Sequence, residues 1–280
     1  VARIFERVAN FCMQARSGDN MTRINLSPAM RACVEPCTRV NYFLVTVLLF
    51  IPLIPKYFLP NFHVNEAGKL ISVRQLFEPD FLSHDWVVAK GHGDNIFDFA
   101  YSAALAPLWV CLHNMLLVAL VARVLFWIAF LLILAKLGKR LKLEPYVILI
   151  ATAVWILLRQ CLGAQEWVLG GIEPKCFSYA LLLLALIAVF DKATLKAGIY
   201  CGLAITFHVL VGMWGTFAIG LAVLAAWREF GWRKIFIFGL LPALINLPLF
   251  LIAMRYDAAG TSAERAAAAQ IGVMFADPLH

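Results

Sequence analysis

Between Tyr42 and Met254 the sequence runs as a succession of apolar stretches broken by short polar turns. A membrane-spanning helix needs about 20 mostly apolar residues, fewer where neighbouring helices and short loops shield its ends. Seven stretches meet that description: Tyr42–Leu59, Leu116–Leu137, Tyr146–Cys161, Phe177–Phe190, Leu195–Phe207, Val211–Trp227 and Ile235–Met254. Hydrophobic residues make up 62% of the 280-residue chain and charged ones 15%, a balance no water-soluble core could bury. A soluble enzyme, a disordered chain and a secreted disulfide scaffold are thereby excluded. The expected fold is all-α: a polytopic bundle of about seven spans.

The distribution of Lys and Arg sets the expected orientation, because short loops rich in these residues stay on the cytoplasmic side. With the N-terminus inside, Arg3, Arg7, Arg16, Arg23, Arg31 and Arg39 fall in the cytoplasm. So do Lys136, Lys139, Arg140 and Lys142, then Lys192 and Lys196, then Arg228, Arg233 and Lys234. The opposite short loops, Leu162–Cys176 and His208–Leu210, carry only Lys175. The expectation is therefore N-in, C-out. A formal charge of +7 is accounted for by these loops and by lipid headgroups, so nucleic acid is not an expected partner.

Three regions follow. Residues 1–41 form a basic cytoplasmic tail, residues 42–254 the transmembrane bundle with an outer loop over 54–114, and residues 255–280 an outer segment. The chain begins at Val1 and stops at His280 just after Asp277, Pro278 and Leu279, so truncation is expected at either end, with Met21 or Met30 as alternative starts. The tail lacks the apolar core of a signal peptide. In the outer loop Phe97, Tyr101, Leu105, Leu108 and Leu112 recur at helical spacing, which predicts an interfacial helix over Phe97–His113, with Pro107 a point of kinking. Asn246, between Pro242 and Pro248, marks a candidate break in the last span. The four residues Asp191–Thr194 make the fourth and fifth spans a tight hairpin. No repeat of 20–50 residues is found.

The seven cysteines are scattered, and Cys33-x3-Cys37 lacks a second ligand pair, so neither a disulfide framework nor a metal site is expected. The outer side collects Glu78, Asp80, His84, Asp85, Asp94, Asp98, Glu166, Glu173, Lys175 and His208. Within it, Glu78–Trp86 packs three carboxylates and an imidazole among apolar and aromatic residues. A carboxylate there can serve as a general base toward a substrate hydroxyl. The plainer reading is a solvated acidic loop anchored by Phe81 and Trp86.

At the outer end of the fourth span, Pro174 suits a first helical turn and Glu173 suits the positive end of the helix dipole. Lys175 opposes that dipole, so a bound anion such as phosphate, or a pair with Glu173, is expected beside it. His208 reads either as a satisfied polar residue at a turn or as part of a site, and Arg159 as a snorkelling side chain or an anion contact.

A first span, a long acidic outer loop with an interfacial helix, and short hairpins charged on the outer face resemble the GT-C superfamily of polyprenyl-phosphate-sugar-dependent glycosyltransferases. The resemblance rests on Asp80–Trp86, on Gly170–Ala180 and on Phe207–Trp214, and covers most of the chain from Tyr42 onward. It implies transfer of a sugar from a polyprenyl-phosphate donor at the outer face of a bacterial inner membrane, as part of cell-envelope synthesis. It implies Asp85 as catalytic base, with Asp80 or Glu78 as second carboxylate. Lys175, His208, Arg159 and Glu173 would lie on the donor side. In the family an outer-loop acid, often in an Asp–Glu pair, is the base or a metal contact. Here that loop has no adjacent Asp–Glu pair. No cofactor is expected, a divalent cation being the one alternative. Partners are the lipid-linked sugar, membrane lipid and an acceptor the residues do not identify. The competing expectation is a membrane transporter or a non-catalytic scaffold whose outer charges pair with one another.

Overall fold

The computed structural model describes residues 44, 48–49, 51, 53–55, 58–62, 66–82, 84, 98–157 and 171–259, with 156–157, 253 and 255–259 described in backbone only. The tail 1–41 and the segment 260–280 lie outside these residues, as do Asp85, Asp94, Arg159 and Glu166. Among the described residues the chain is all-helical. Residues 44, 48–49, 51 and 53–55 are helical, within the first expected span. The helices that follow are α1 (Glu66–Gln75), α2 (Phe99–Leu112), α3 (Met115–Arg140), α4 (Pro145–Leu157), α5 (Pro174–Phe190), α6 (Thr194–Phe207), α7 (Val209–Ala225), α8 (Trp227–Phe230) and α9 (Trp232–Ala259).

Two helices are long and apolar enough to cross a membrane, Met115–Arg140 and Trp232–Ile252. The apolar helices α2, α4, α5, α6 and α7 are shorter, at 13 to 17 residues. Helix α3 starts where Asn114 caps it: the side-chain oxygen accepts the backbone N–H groups of Leu116 and Leu117 at 3.0 and 3.1 Å, satisfying donors that have no partner inside the helix. It ends on Lys142 at φ 54°, as α5 ends on Lys192 at φ 57°. Both are left-handed closures in which the next amide reaches back five residues, Leu143 to Gly138 and Ala193 to Ala188. The turn 191–193 closes the expected α5–α6 hairpin.

Helix α6 is the hub, packed against α5, α7 and α9. Its buried residues are mostly small: Thr194, Ala197, Gly198, Cys201, Gly202 and Ala204, with Ile205 the one large side chain. A Cβ on Gly202 would lie 2.6 Å from Ile245 Cδ1 and 3.2 Å from Pro242 Cα, so the two backbones meet at a distance only glycine permits. Opposite, Asn246 donates from Nδ2 to the carbonyls of Gly202 and Pro242, both at 2.9 Å, and accepts from Thr206 Oγ1 at 3.0 Å. The expected break at Asn246 is not found. Helix α9 runs unbroken through Pro242 and Pro248, and the Asn246 amide ties it to α6. Likewise α2 continues through Pro107.

Ion pairs group the turns at the ends of the helices. Arg140, ending α3, pairs with Asp191 at 3.0 Å, and Lys192 pairs with Glu229 of α8 at 3.4 Å. The α3 C-terminus, the α5–α6 turn and the α7–α9 connection therefore share one end of the bundle. The N-termini of α3 and α5 and the α6–α7 turn lie at the other.

Candidate functional site at the end opposite the basic turns

The first turn of α5 is the centre of a buried polar group. Glu66, opening α1, is fully buried, and its carboxylate accepts the Ile172 N–H at 2.7 Å. The same oxygen lies 3.0 Å from Nε of Arg123, which is 1% exposed. The Arg123 guanidinium also donates to the Leu59 carbonyl at 3.2 Å and to the Asn61 carbonyl. One arginine in the apolar face of α3 thus binds both the approach to the outer loop and the start of α1. Its charge is stabilised because the carboxylate and two carbonyls replace the water it gives up.

Tyr101 of α2 is buried beside this pair and donates to the Ile172 carbonyl at 2.8 Å. Ile172 is thereby held through both its N–H and its C=O. Burial raises the Tyr101 phenol well above its ordinary value, and the Glu66 carboxylate adds to the rise. Cys176 donates to the Gly171 carbonyl at 3.2 Å. Lys69 of α1 pairs with Asp98, the residue preceding α2, at 2.8 Å.

Glu173 stands at the N-cap of α5 in extended conformation, with Pro174 in the first turn. Its carboxylate makes no capping bond and instead meets Lys175 Nζ at 3.1 Å, both side chains about nine-tenths buried. Of the two expectations for Lys175, the pair with Glu173 is the one found. Phe177 stacks on Phe207 with ring centroids 4.9 Å apart, and Ser178 Oγ donates to the Ala204 carbonyl at 2.9 Å. These contacts bring the Lys175 turn beside the α6–α7 turn that carries His208. There His208 Nδ1 accepts the Val211 N–H at 3.2 Å, capping α7, which assigns a ring proton at neutral charge to Nε2.

Glu78 and Asp80 lie elsewhere, past the far end of α1 and separated from Glu66 by the length of that helix, about 15 Å at 1.5 Å per residue. Both are exposed. Glu78 is held by Arg74, whose Nη2 and Nε approach one carboxylate oxygen at 2.6 and 2.8 Å. The guanidinium also stacks 3.6 Å over the Phe81 ring. Arg74 and Glu78 line a polar cleft of ≈ 360 Å³ with Phe62, Trp109, His113 and Asn114. A second cleft, also ≈ 360 Å³ but apolar, opens between α3, α4 and α5. Phe130, Thr152, Trp155, Tyr179, Leu182 and Leu183 line it. Tyr179 lies one turn below Lys175 on α5.

The structure thus brings Lys175, Glu173 and the His208 turn together and leaves Glu78 and Asp80 apart from them. Asp85 and Arg159 fall outside the described residues. Sequence reasoning missed Glu66, Tyr101 and Arg123 as parts of a site. The available signal was an arginine eight residues into a long apolar helix, which demands a buried acid. Among the described residues no cluster of three or more His, Cys, Asp or Glu side chains is arranged to hold a metal.

Compared with protein-family models, with curated proteins and with solved structures, the chain matches none of them.

Proposed function

We propose that this chain is the membrane portion of a GT-C-like glycosyltransferase that moves a sugar from a polyprenyl-phosphate donor at the outer face of a bacterial inner membrane. The observation that carries the reading is the arrangement along α5. A buried ammonium–carboxylate pair, Lys175–Glu173, heads the helix, and an apolar cleft begins one turn below it. A lipid phosphate has that same division, an anionic head and an apolar chain. In this reading Lys175 exchanges Glu173 for the donor phosphate, His208 and Arg159 serve as further donor contacts, and Lys175 stabilises the charge that grows as the lipid phosphate leaves. Asp85, Asp80 or Glu78 accepts the proton of the acceptor hydroxyl.

The bundle in this reading crosses the membrane seven times, N-in and C-out. Support comes from the pairs Arg140–Asp191 and Lys192–Glu229, which gather the Lys- and Arg-rich turns at one end, away from Glu66, Glu173 and Lys175. Helices of 13 to 17 residues are about 20–26 Å long. The membrane then thins locally to meet them.

A second reading, a scaffold or transporter without catalysis, has its own observation. The described charges at this end close on one another as Glu66–Arg123, Lys69–Asp98, Arg74–Glu78 and Glu173–Lys175. Transfer from a polyprenyl-phosphate sugar in vesicles separates the two. Asp85→Asn, Asp80→Asn and Glu78→Gln each keep size while removing charge, and loss of the acting base lowers the rate by about 10²–10⁴. Wild-type rates in all three, or a wild type that binds no lipid-phosphate sugar, would leave the scaffold or transporter.

A further inference from the structure

The polar cleft at the far end of α1 has a composition that selects its ligand. Among the described residues that line it, the cation and the anion are Arg74 and Glu78, paired at 2.6 Å, so together they present a dipole of no net charge. A phosphate or carboxylate entering there meets Glu78 as well as Arg74, and a cation meets the reverse. What remains favourable is a neutral ligand that both donates and accepts hydrogen bonds. The other walls suit the same chemistry. Phe62 is 40% exposed and offers an apolar face. Trp109 backs the cleft with the Arg74 guanidinium 5.7 Å from its ring, and the His113 imidazole lies 6.4 Å from the same indole.

Asn114 adds a directional donor. Its Oδ1 is committed to Leu116 and Leu117, which fixes the amide plane and leaves Nδ2 at the cleft with no partner among the described residues. The N–H groups of Leu116, Leu117 and Val118 at this helix end are already bonded to Asn114. The backbone at His113 is held in the left-handed region, φ 48°, by its N–H bond to Trp109 O, and this sets both His113 and Asn114 at the rim. The cleft's ≈ 360 Å³ lies at the small end of ligand sites, about 300–1,000 Å³, a size for one sugar ring.

We infer that the cleft between α1, α2 and the start of α3 binds a neutral sugar ring, held on Phe62 and hydrogen-bonded by Glu78, Arg74, His113 and Asn114. The inference deepens the proposed function and rests on it in one respect: the ring is the acceptor, which makes the acceptor a neutral glycoside.

Saturation-transfer NMR on the full chain in nanodiscs tests the binding with methyl glucoside, methyl N-acetylglucosaminide, glucuronate and inorganic phosphate as probes. The neutral glycosides are expected to bind and the two anions not. Asn114→Asp keeps the oxygen that caps α3 but turns the Nδ2 donor into a carboxylate oxygen and adds a negative charge, and it is expected to weaken the neutral glycosides about tenfold. Phe62→Ala, at an exposed position, serves as a second variant and is expected to weaken them similarly. Binding of phosphate or glucuronate in preference to the neutral glycosides, no binding of any probe, or neutral binding unchanged in both variants overturns the inference. Neutral binding that falls in the variants, with no sugar transfer by the wild type, upholds the cleft and removes the glycosyltransferase reading. Transfer whose acceptor KM is unchanged in both variants upholds that reading and removes the cleft.

Discussion

Arg123 shows how one residue sets the energetics of its surroundings. A guanidinium buried to 1% exposure is tolerable only while Glu66 and the carbonyls of Leu59 and Asn61 are in place. Removing one member of a buried ion pair strands the other and costs about 3–5 kcal/mol, whereas removing both charges together costs much less. Arg123→Met is therefore expected to lower stability by about that amount, and Arg123→Met with Glu66→Gln to recover most of it. Glutamine keeps an acceptor for the Ile172 N–H. Unfolding in mixed micelles measures the cycle, and additive losses in the double variant would show that the two groups do not act as a pair. Tyr101 makes a related prediction about pH. Its phenol ionises near pH 10 in the unfolded chain and well above that in the folded one. The folded state then binds more protons above pH 10, so its stability is complete below that value and is lost as pH rises toward the raised one. Tyr101→Phe should flatten the fall in melting temperature between about pH 9.5 and 11, at a cost of about 1 kcal/mol at pH 7 for the lost bond to Ile172. An unchanged alkaline slope would place the sensitivity on other groups.

At the scale of elements, the α6–α9 contact is made by absence of side chains. Gly202→Val places methyl groups against the Pro242 backbone, which cannot yield, and is expected to destabilise by about 1–3 kcal/mol or more. Gly239→Ala in α9 meets nothing within 4 Å and should be neutral or stabilising. Thermal unfolding of the two variants compares them directly, and equal effects would contradict the packing described. The helices themselves were readable from the residues to different degrees. Helix α3 was plain, because a long apolar run follows a good cap at Asn114 and ends in Lys139 and Arg140. The α5–α6 hairpin was plain as well, because the four-residue break with Asp191, Lys192 and Thr194 is too short and polar to continue a span. Helix α1 was not. Its buried positions, Glu66, Leu70 and Val73, have helical spacing, but the first is a carboxylate, so no apolar stripe stands out. The candidate site was half legible for the same reason. Exposed-looking acids drew attention to Glu78 and Asp80, while the charges that are buried, Glu66 and Arg123, became visible only once tertiary contacts placed them face to face.

The described helices form a bundle with two chemically different ends. One end carries the Lys- and Arg-rich turns, joined by the exposed pairs Arg140–Asp191 and Lys192–Glu229. The other carries buried pairs, the first turn of α5, the His208 turn and the polar cleft at Arg74 and Glu78. Every functional statement about this chain depends on which end faces which compartment, because an outward Lys175 meets a different set of lipids and sugars from an inward one. Single cysteines at His113 and Lys139, placed in a background without the native thiols, report this directly through a membrane-impermeant maleimide on intact cells. Position 113 is expected to label from outside and position 139 only after the membrane is opened. Labelling of position 139 on intact cells, with position 113 protected, would contradict it.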